Sequence, residues 1–202
     1  MSRPVYRKGE DTARDRLEEA FWKALAEGCY ETMSVLGLCR AASVNKNTFY
    51  YHFENIDDLA ESAATELLST SLLEAVAQAV QGNVVIPDSV SALEFTRKLD
   101  QLGLMATEES SPRLKKMLRD AVSRAWTETF AIDLEVLDVK ERASFEFVLG
   151  GFLGVLALRA KIGNELFFED VWGAPYQEHA FSIIRALQDT SARRKQHLLA
   201  DA

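Results

Sequence analysis

Apolar positions recur at spacings of three and four along most of the chain, and sustained alternation of apolar with polar residues is scarce. Helices are therefore the predicted elements. Leu17, Phe21, Ala24 and Leu25 form one apolar stripe on a helix over 12–27, with Trp22 packing at its edge; Gly28 and Cys29 end it and Tyr30 folds back. Three short pieces follow over 34–59, each opened by a side chain suited to capping. Ser34 precedes Val35, Leu38, Cys39 and Ala42, and Asn45 precedes Thr48, Phe49 and Tyr51 or His52. Asn55 precedes Asp57 and Asp58, whose carboxylates suit the positive end of a helix dipole. Only Ala42, Ser43 and Val44 lie between the first two pieces, which is the length of a helix-turn-helix corner.

Downstream, Leu59, Ala63, Leu67, Leu68, Leu72, Ala75, Val76 and Val80 predict a long helix over 57–81, broken by Gly82, Asn83 and Pro87. Further helices are predicted over 91–107, 112–132 and 139–162, with Pro112 near the start of the second. A short apolar piece over 166–172 leads to a last helix over 175–187, open to continuation into the basic tail Arg193, Arg194 and Lys195. Residues 1–10, with Pro4 and Gly9, read as an arm carrying Arg3, Arg7 and Lys8. The expected fold is all-α: a three-helix head over 1–56 that includes the helix-turn-helix, then a helical domain over 57–202.

With 202 residues and 48% hydrophobic content the chain can bury a sizeable core, and four prolines and ten glycines are too few for a turn-rich β protein. A net charge of −8 argues against nucleic acid only if it is evenly spread. Residues 1–56 hold eight Lys or Arg and eight Asp or Glu, so the whole deficit lies in 57–202. A neutral head on an acidic body allows contact with DNA through one end. Cys29 and Cys39, ten apart, read as two small buried apolar residues in a reducing compartment. The first 15 residues have no apolar run, and the uncharged stretch 147–158 is 12 residues long, where a membrane span needs about 20. A cytoplasmic chain without a membrane segment is expected.

Catalytic patterns are missing: there is no G-x-S-x-G and no H-E-x-x-H, and His52, His179 and His197 show no metal spacing. No enzyme activity, metal or cofactor is expected. Gly150, Gly151 and Gly154 suggest a phosphate loop only superficially, because they sit inside an apolar helical run with no lysine after it.

The run Asn45, Lys46, Asn47, Thr48, Phe49, Tyr50, Tyr51, His52, Phe53, followed by Asp57, Asp58 and Leu59, resembles the recognition helix and following helix start of the TetR family of bacterial transcriptional regulators. The resemblance reaches back through Ala20, Phe21, Leu25 and Tyr30 and covers about the first 60 residues. It implies a homodimeric regulator, usually a repressor, that binds a palindromic DNA operator and responds to a small-molecule effector. In a helix-turn-helix the second helix enters the major groove. Thr48, Tyr50 and His52 are then the expected phosphate contacts, with Ser34 at the preceding helix start, while Lys46, Asn47 and Tyr51 meet bases.

Two positions depart from the family pattern. Ile56 stands where a lysine usually opens the fourth helix, and Leu36 where an arginine often reaches DNA. Their alternative implication is a helical dimer of the same fold that binds a ligand or protein and has weakened or lost DNA binding. In the second domain, Phe145, Leu149, Phe152 and Leu156, with Phe181 and Ile184 of the last helix, are the expected dimer interface, and burial within one subunit is the competing account. An effector pocket is expected among Phe95, Leu102, Met105, Met117, Trp126, Phe130, Glu146, Phe147 and Phe168, a set for which core packing is the competing account. Glu146 stands out as a carboxylate on an apolar helix.

Overall fold

The computed structural model of the chain describes residues 12–28, 30–68, 73–74, 77, 92–108, 110–163 and 175–200. Among these, eight α-helices and one 3₁₀ turn occur, and no strand. The helices are α1 (Ala13–Glu27), α2 (Val35–Ala41), α3 (Lys46–His52), α4 (Ile56–Leu67), α5 (Ala92–Ala106), α6 (Pro112–Thr129), α7 (Val139–Ile162) and α8 (Pro175–Ala200), with the 3₁₀ turn at Tyr30–Thr32. The predicted helices over 91–107 and 139–162 match α5 and α7 closely, and α8 does continue through the basic tail. The distal part of the helix expected over 57–81, the piece over 166–172, the arm over 1–10 and Cys29 lie outside the described residues.

The chain divides into two compact units, Met1–Ala63 and Ala64–Ala202. The division falls inside α4, two turns beyond the boundary expected at 56. The physical reason is that the first two turns of α4 are bonded to α1 and to the 3₁₀ turn: the Tyr30 hydroxyl donates to Asp57, and Arg14 donates to Ser62.

The first unit is built on α1. A capping box opens it, with the Thr12 hydroxyl accepting from the Asp15 amide at 3.2 Å and the Asp15 carboxylate accepting from the Thr12 amide at 2.9 Å. Leu17, Ala20, Phe21, Trp22 and Leu25 are buried, and α2 and α3 pack on this stripe and on each other. Phe21 meets Trp22 and Tyr30 edge to face, with ring centroids 5.0 Å and 6.4 Å away.

In the second unit α7 is the central helix, packed against α5, α8 and α6. By length and composition α7 is apolar enough to cross a membrane. Two of its charged residues find partners on neighbouring helices of the unit. Arg159, 4% exposed, donates to Asp100 of α5 at 2.7 Å, and Glu146 pairs with Arg119 of α6. Helices α5 and α7 approach closely at Gly103, where a Cβ would lie 2.8 Å from the Leu156 carbonyl oxygen and 3.0 Å from the Ala160 Cβ. Gly103→Ala therefore destabilises the unit. Overpacking against a backbone atom costs about 1–3 kcal/mol, which outweighs the roughly 1 kcal/mol that alanine gains over glycine in a helix. Thermal denaturation of the variant checks the sign.

A polar clasp fixes the 130–138 connection onto α8. Ser191, fully buried, accepts from the Asp133 amide at 2.8 Å, Lys195 pairs with Asp133 at 3.2 Å, and Arg194 forks onto Glu141 at 2.6 Å and 3.0 Å while donating to the Val136 carbonyl. Backbone amides hold two carboxylates below their ordinary range: that of Glu135, with Lys195 adding to it, for Asp133, and those of Glu141 and Lys140 for Asp138. A depressed carboxylate stabilises the fold above its unfolded pKa, and that contribution is lost as pH falls through the folded value. The clasp is thus intact at neutral pH and loosens below about pH 4, near the ordinary aspartate value. Denaturation midpoints from pH 7 to pH 3 should show this fall, and Asp138→Asn should flatten it.

Candidate nucleic-acid interface

Each short helix of the first unit starts on the side chain expected to cap it. The Ser34 hydroxyl accepts from the Gly37 amide at 3.1 Å, the Asn45 side chain from the Thr48 amide at 2.8 Å, and the Asn55 side chain from the Asp58 amide at 3.0 Å. The corner between α2 and α3 is closed by paired hydrogen bonds, Val44 amide to Cys39 carbonyl at 2.9 Å and Ser43 amide to Arg40 carbonyl at 3.2 Å. This pattern requires a left-handed residue, and Ser43 takes that role with φ of 53°. The same device closes α6, where Ala131 has φ of 51°. No glycine marks either place, so the sequence carries no signal for them.

One side of α3 is anchored. Phe49 is fully buried and Phe53, its C-cap, is nearly so, with ring centroids 5.8 Å apart. At 100° per residue this leaves Lys46, Asn47, Tyr50 and Tyr51 on a continuous outward arc, all exposed, Tyr51 at 83%. Thr48 and His52 flank that arc on its half-buried edge. The Thr48 hydroxyl is 3.2 Å from Asn45 Oδ1, and the His52 ring lies between Tyr51 and Phe53 at 4.9 Å and 6.2 Å. Ser34 and Arg40 are exposed on α2. Cys39 beneath them is buried, which pushes its thiol pKa up despite the nearby Lys46. The arc offers a cation, an amide and two phenols on a rigid, seven-residue helix.

Leu36, 43% exposed on the first turn of α2, adds an apolar side chain where a cation was expected by resemblance, and Ile56 is half-buried at the start of α4.

In the second unit the candidates separate. Leu102, Met105, Trp126 and Phe130 are buried and Met117 half-buried. The Trp126 ring is 6.3 Å, 6.5 Å and 5.2 Å from Phe130, Phe145 and Phe152. Glu146 is at the surface against Arg119, and Phe147 is 75% exposed. The Phe95 side chain and Phe168 lie outside the described residues. An open cleft of about 320 Å³ lies between α5, α6 and α7, lined by Leu118, Arg119, Leu153 and Gly154 among others, and among the described residues none of those expected at the pocket lines it.

Of the residues expected at the dimer interface, Phe145, Leu149, Leu156 and Ile184 are buried within the unit, and Phe152 and Phe181 are half-buried. The apolar face left open on α7 is the opposite one: Phe147, Gly150, Gly151, Gly154 and Leu158, with no atom within 4 Å of a Cβ built on any of the three glycines.

Residues 19–63 match the family model of the bacterial regulatory proteins, tetR family. No curated protein matches the chain. Among solved structures, the fatty acid degradation regulator FadR from Bacillus halodurans is similar over 83% of this chain and 97% of its own, with 13% identity and a TM-score of 0.49. That likeness is too distant to carry residue roles across. The matched segment runs from the middle of α1 to the second turn of α4 and holds the capped helix-turn-helix with its exposed arc. The likeness to the tetR family of bacterial regulatory proteins thus lies in the head of this chain, over residues 19–63.

Proposed function

We propose that the chain is a ligand-responsive transcriptional repressor that binds a palindromic operator as a homodimer and is released by a small-molecule effector. The observation that carries the DNA part is the outward arc of Lys46, Asn47, Tyr50 and Tyr51 on a helix locked from behind by Phe49 and Phe53. Lysine reads guanine or phosphate, asparagine reads adenine, and the phenols with Thr48, His52 and Ser34 reach phosphates. The open stripe of α7 supports the dimer: a phenylalanine, three bare glycines and a leucine allow two helix backbones to approach closely. Leu102, Met105, Trp126 and Phe130, with Met117, supply the apolar, polarizable surroundings that suit an apolar effector. Such an effector releases DNA only if it prefers the conformation that does not fit the operator, and α4, which passes from one unit into the other, is the element through which it acts.

Fluorescence anisotropy with fragments from upstream of the chain's own gene tests the DNA part. Binding should weaken steeply with salt, with a log–log slope of about −0.9 per phosphate neutralised. A fragment bound no better than random DNA at every salt concentration overturns the reading. Leu36→Arg is expected to tighten binding at low salt and steepen that slope by about one, because it adds one phosphate cation. An unchanged slope would place Leu36 away from the DNA. Leu36 is also the observation that favours a second reading, a helical dimer of this fold in which DNA binding has been lost.

A further inference from the structure

Arg14 is a basic residue of the head that neither the helix-turn-helix nor the arm accounts for. It lies on the first turn of α1, yet three elements meet at its guanidinium. Its Nε is 3.1 Å from Glu18 Oε1, its terminal nitrogen donates to the Ser62 hydroxyl on α4, and its Cζ sits 5.4 Å from the centroid of the Phe53 ring. The Ser62 hydroxyl in turn donates to Glu18 Oε1 at 3.2 Å, closing the triangle. Phe53 is the C-cap of α3 and packs on Phe49, the fully buried anchor of the same helix. A second tie, Tyr30 to Asp57, holds the first turn of α4.

We propose that Arg14 is a positioning residue that sets the orientation of α3 according to the position of α4. Its guanidinium is attracted to the face of Phe53 and held in place by Glu18 and Ser62. A displacement of α4 at Ser62 therefore pulls the cation off the Phe53 ring and loosens the end of the helix that carries the outward arc. This inference rests on the DNA-binding reading for its functional consequence, and on the head geometry alone for the coupling.

The test uses the full chain as wild type, Arg14→Gln, Arg14→Lys, Ser62→Ala and the Arg14→Gln, Ser62→Ala double variant. Operator affinity is measured well below each melting temperature, together with hydrogen exchange at the amides of residues 49–53. Arg14→Gln and Ser62→Ala should each weaken binding by about tenfold, and the double variant should be no weaker than Arg14→Gln, as expected for contacts acting through one group. Arg14→Lys, which keeps the charge and loses the fork, should recover only part. The salt slope should not change, and exchange at the Phe53 amide, bonded to the Phe49 carbonyl at 2.8 Å, should quicken in both single variants. A slope reduced by about one would make Arg14 a phosphate contact instead. Unchanged affinity and exchange with a lowered melting temperature would make it merely structural. If wild type binds no DNA, the regulator reading fails, and quickened or unchanged exchange still decides the coupling.

Discussion

Replacing Lys46 and Tyr50 together with alanine abolishes selective operator binding, lowering affinity by about 10²- to 10³-fold, since base and phosphate contacts of this kind contribute about 1–3 kcal/mol each. The two side chains are four residues apart on the exposed arc, so both face the same groove. Tyr50 also meets Phe49 edge to face, with ring centroids 5.4 Å apart, so its loss trims one aromatic contact, but Phe49 and Phe53 remain buried and keep α3 anchored. Stability therefore falls only by the cost of that one aromatic pair, about 0.5–1.5 kcal/mol, far less than the loss of affinity. This separation of affinity from stability also distinguishes the two readings of the head. A module of the same fold that no longer uses DNA shows that small loss of stability and no change in affinity, and titration of one operator fragment with both proteins decides between them.

Phe147→Asp is expected to convert the dimer to monomer. A two-fold contact through α7 buries the residue twice, and each phenylalanine side chain contributes about 1.5–3 kcal/mol on burial. The dimer constant should then weaken by at least about 10²-fold, more when the cost of burying a carboxylate is included. DNA affinity falls with it, because two tethered heads no longer engage two half-sites at once. Gly151→Ala supplies an informative contrast. No atom lies within 4 Å of the added methyl in the single chain, so alanine stabilises the isolated helix by roughly 1 kcal/mol while obstructing close helix approach. Sedimentation equilibrium and thermal melts of both variants should give opposite signs for association and monomer stability at Gly151. A variant that gains both places the dimer contact elsewhere.

Helix α7 marks the limit of what the sequence makes legible. Its ends were legible: Asp138 and Glu141 form a capping box and Gly163 terminates the helix. Its inward face was not, because apolar residues surround the helix. Phe145, Leu149 and Leu156 are inside while Phe147 and Leu158, on the opposite face, are outside, and because both faces are apolar hydropathy does not choose between them. What distinguishes the faces is charge pairing across helices, Glu146 with Arg119 and Arg159 with Asp100, and pairing over such sequence separations leaves no local pattern. The head behaved differently. Its caps are local interactions spanning three residues, and Ser34, Asn45 and Asn55 each make the bond their sequence position implies. Within it the left-handed Ser43 and the Arg14 triangle were hidden, the first because a serine does not announce a positive φ and the second because Arg14 and Ser62 are 48 residues apart. The contacts that draw the first turns of α4 into the head are long-range as well and leave no local pattern.

Leu36 and the neutral charge of residues 1–56 point to a head with few phosphate clamps, whose selectivity depends on the base-facing arc more than on general attraction to DNA. The central claim, that two such arcs read one operator, is tested most directly by footprinting the full chain on DNA upstream of its own or the adjacent gene at low salt. The account predicts two protected, symmetry-related half-sites with centres about 10 base pairs or a multiple of that apart. An unprotected upstream region at low salt would contradict it.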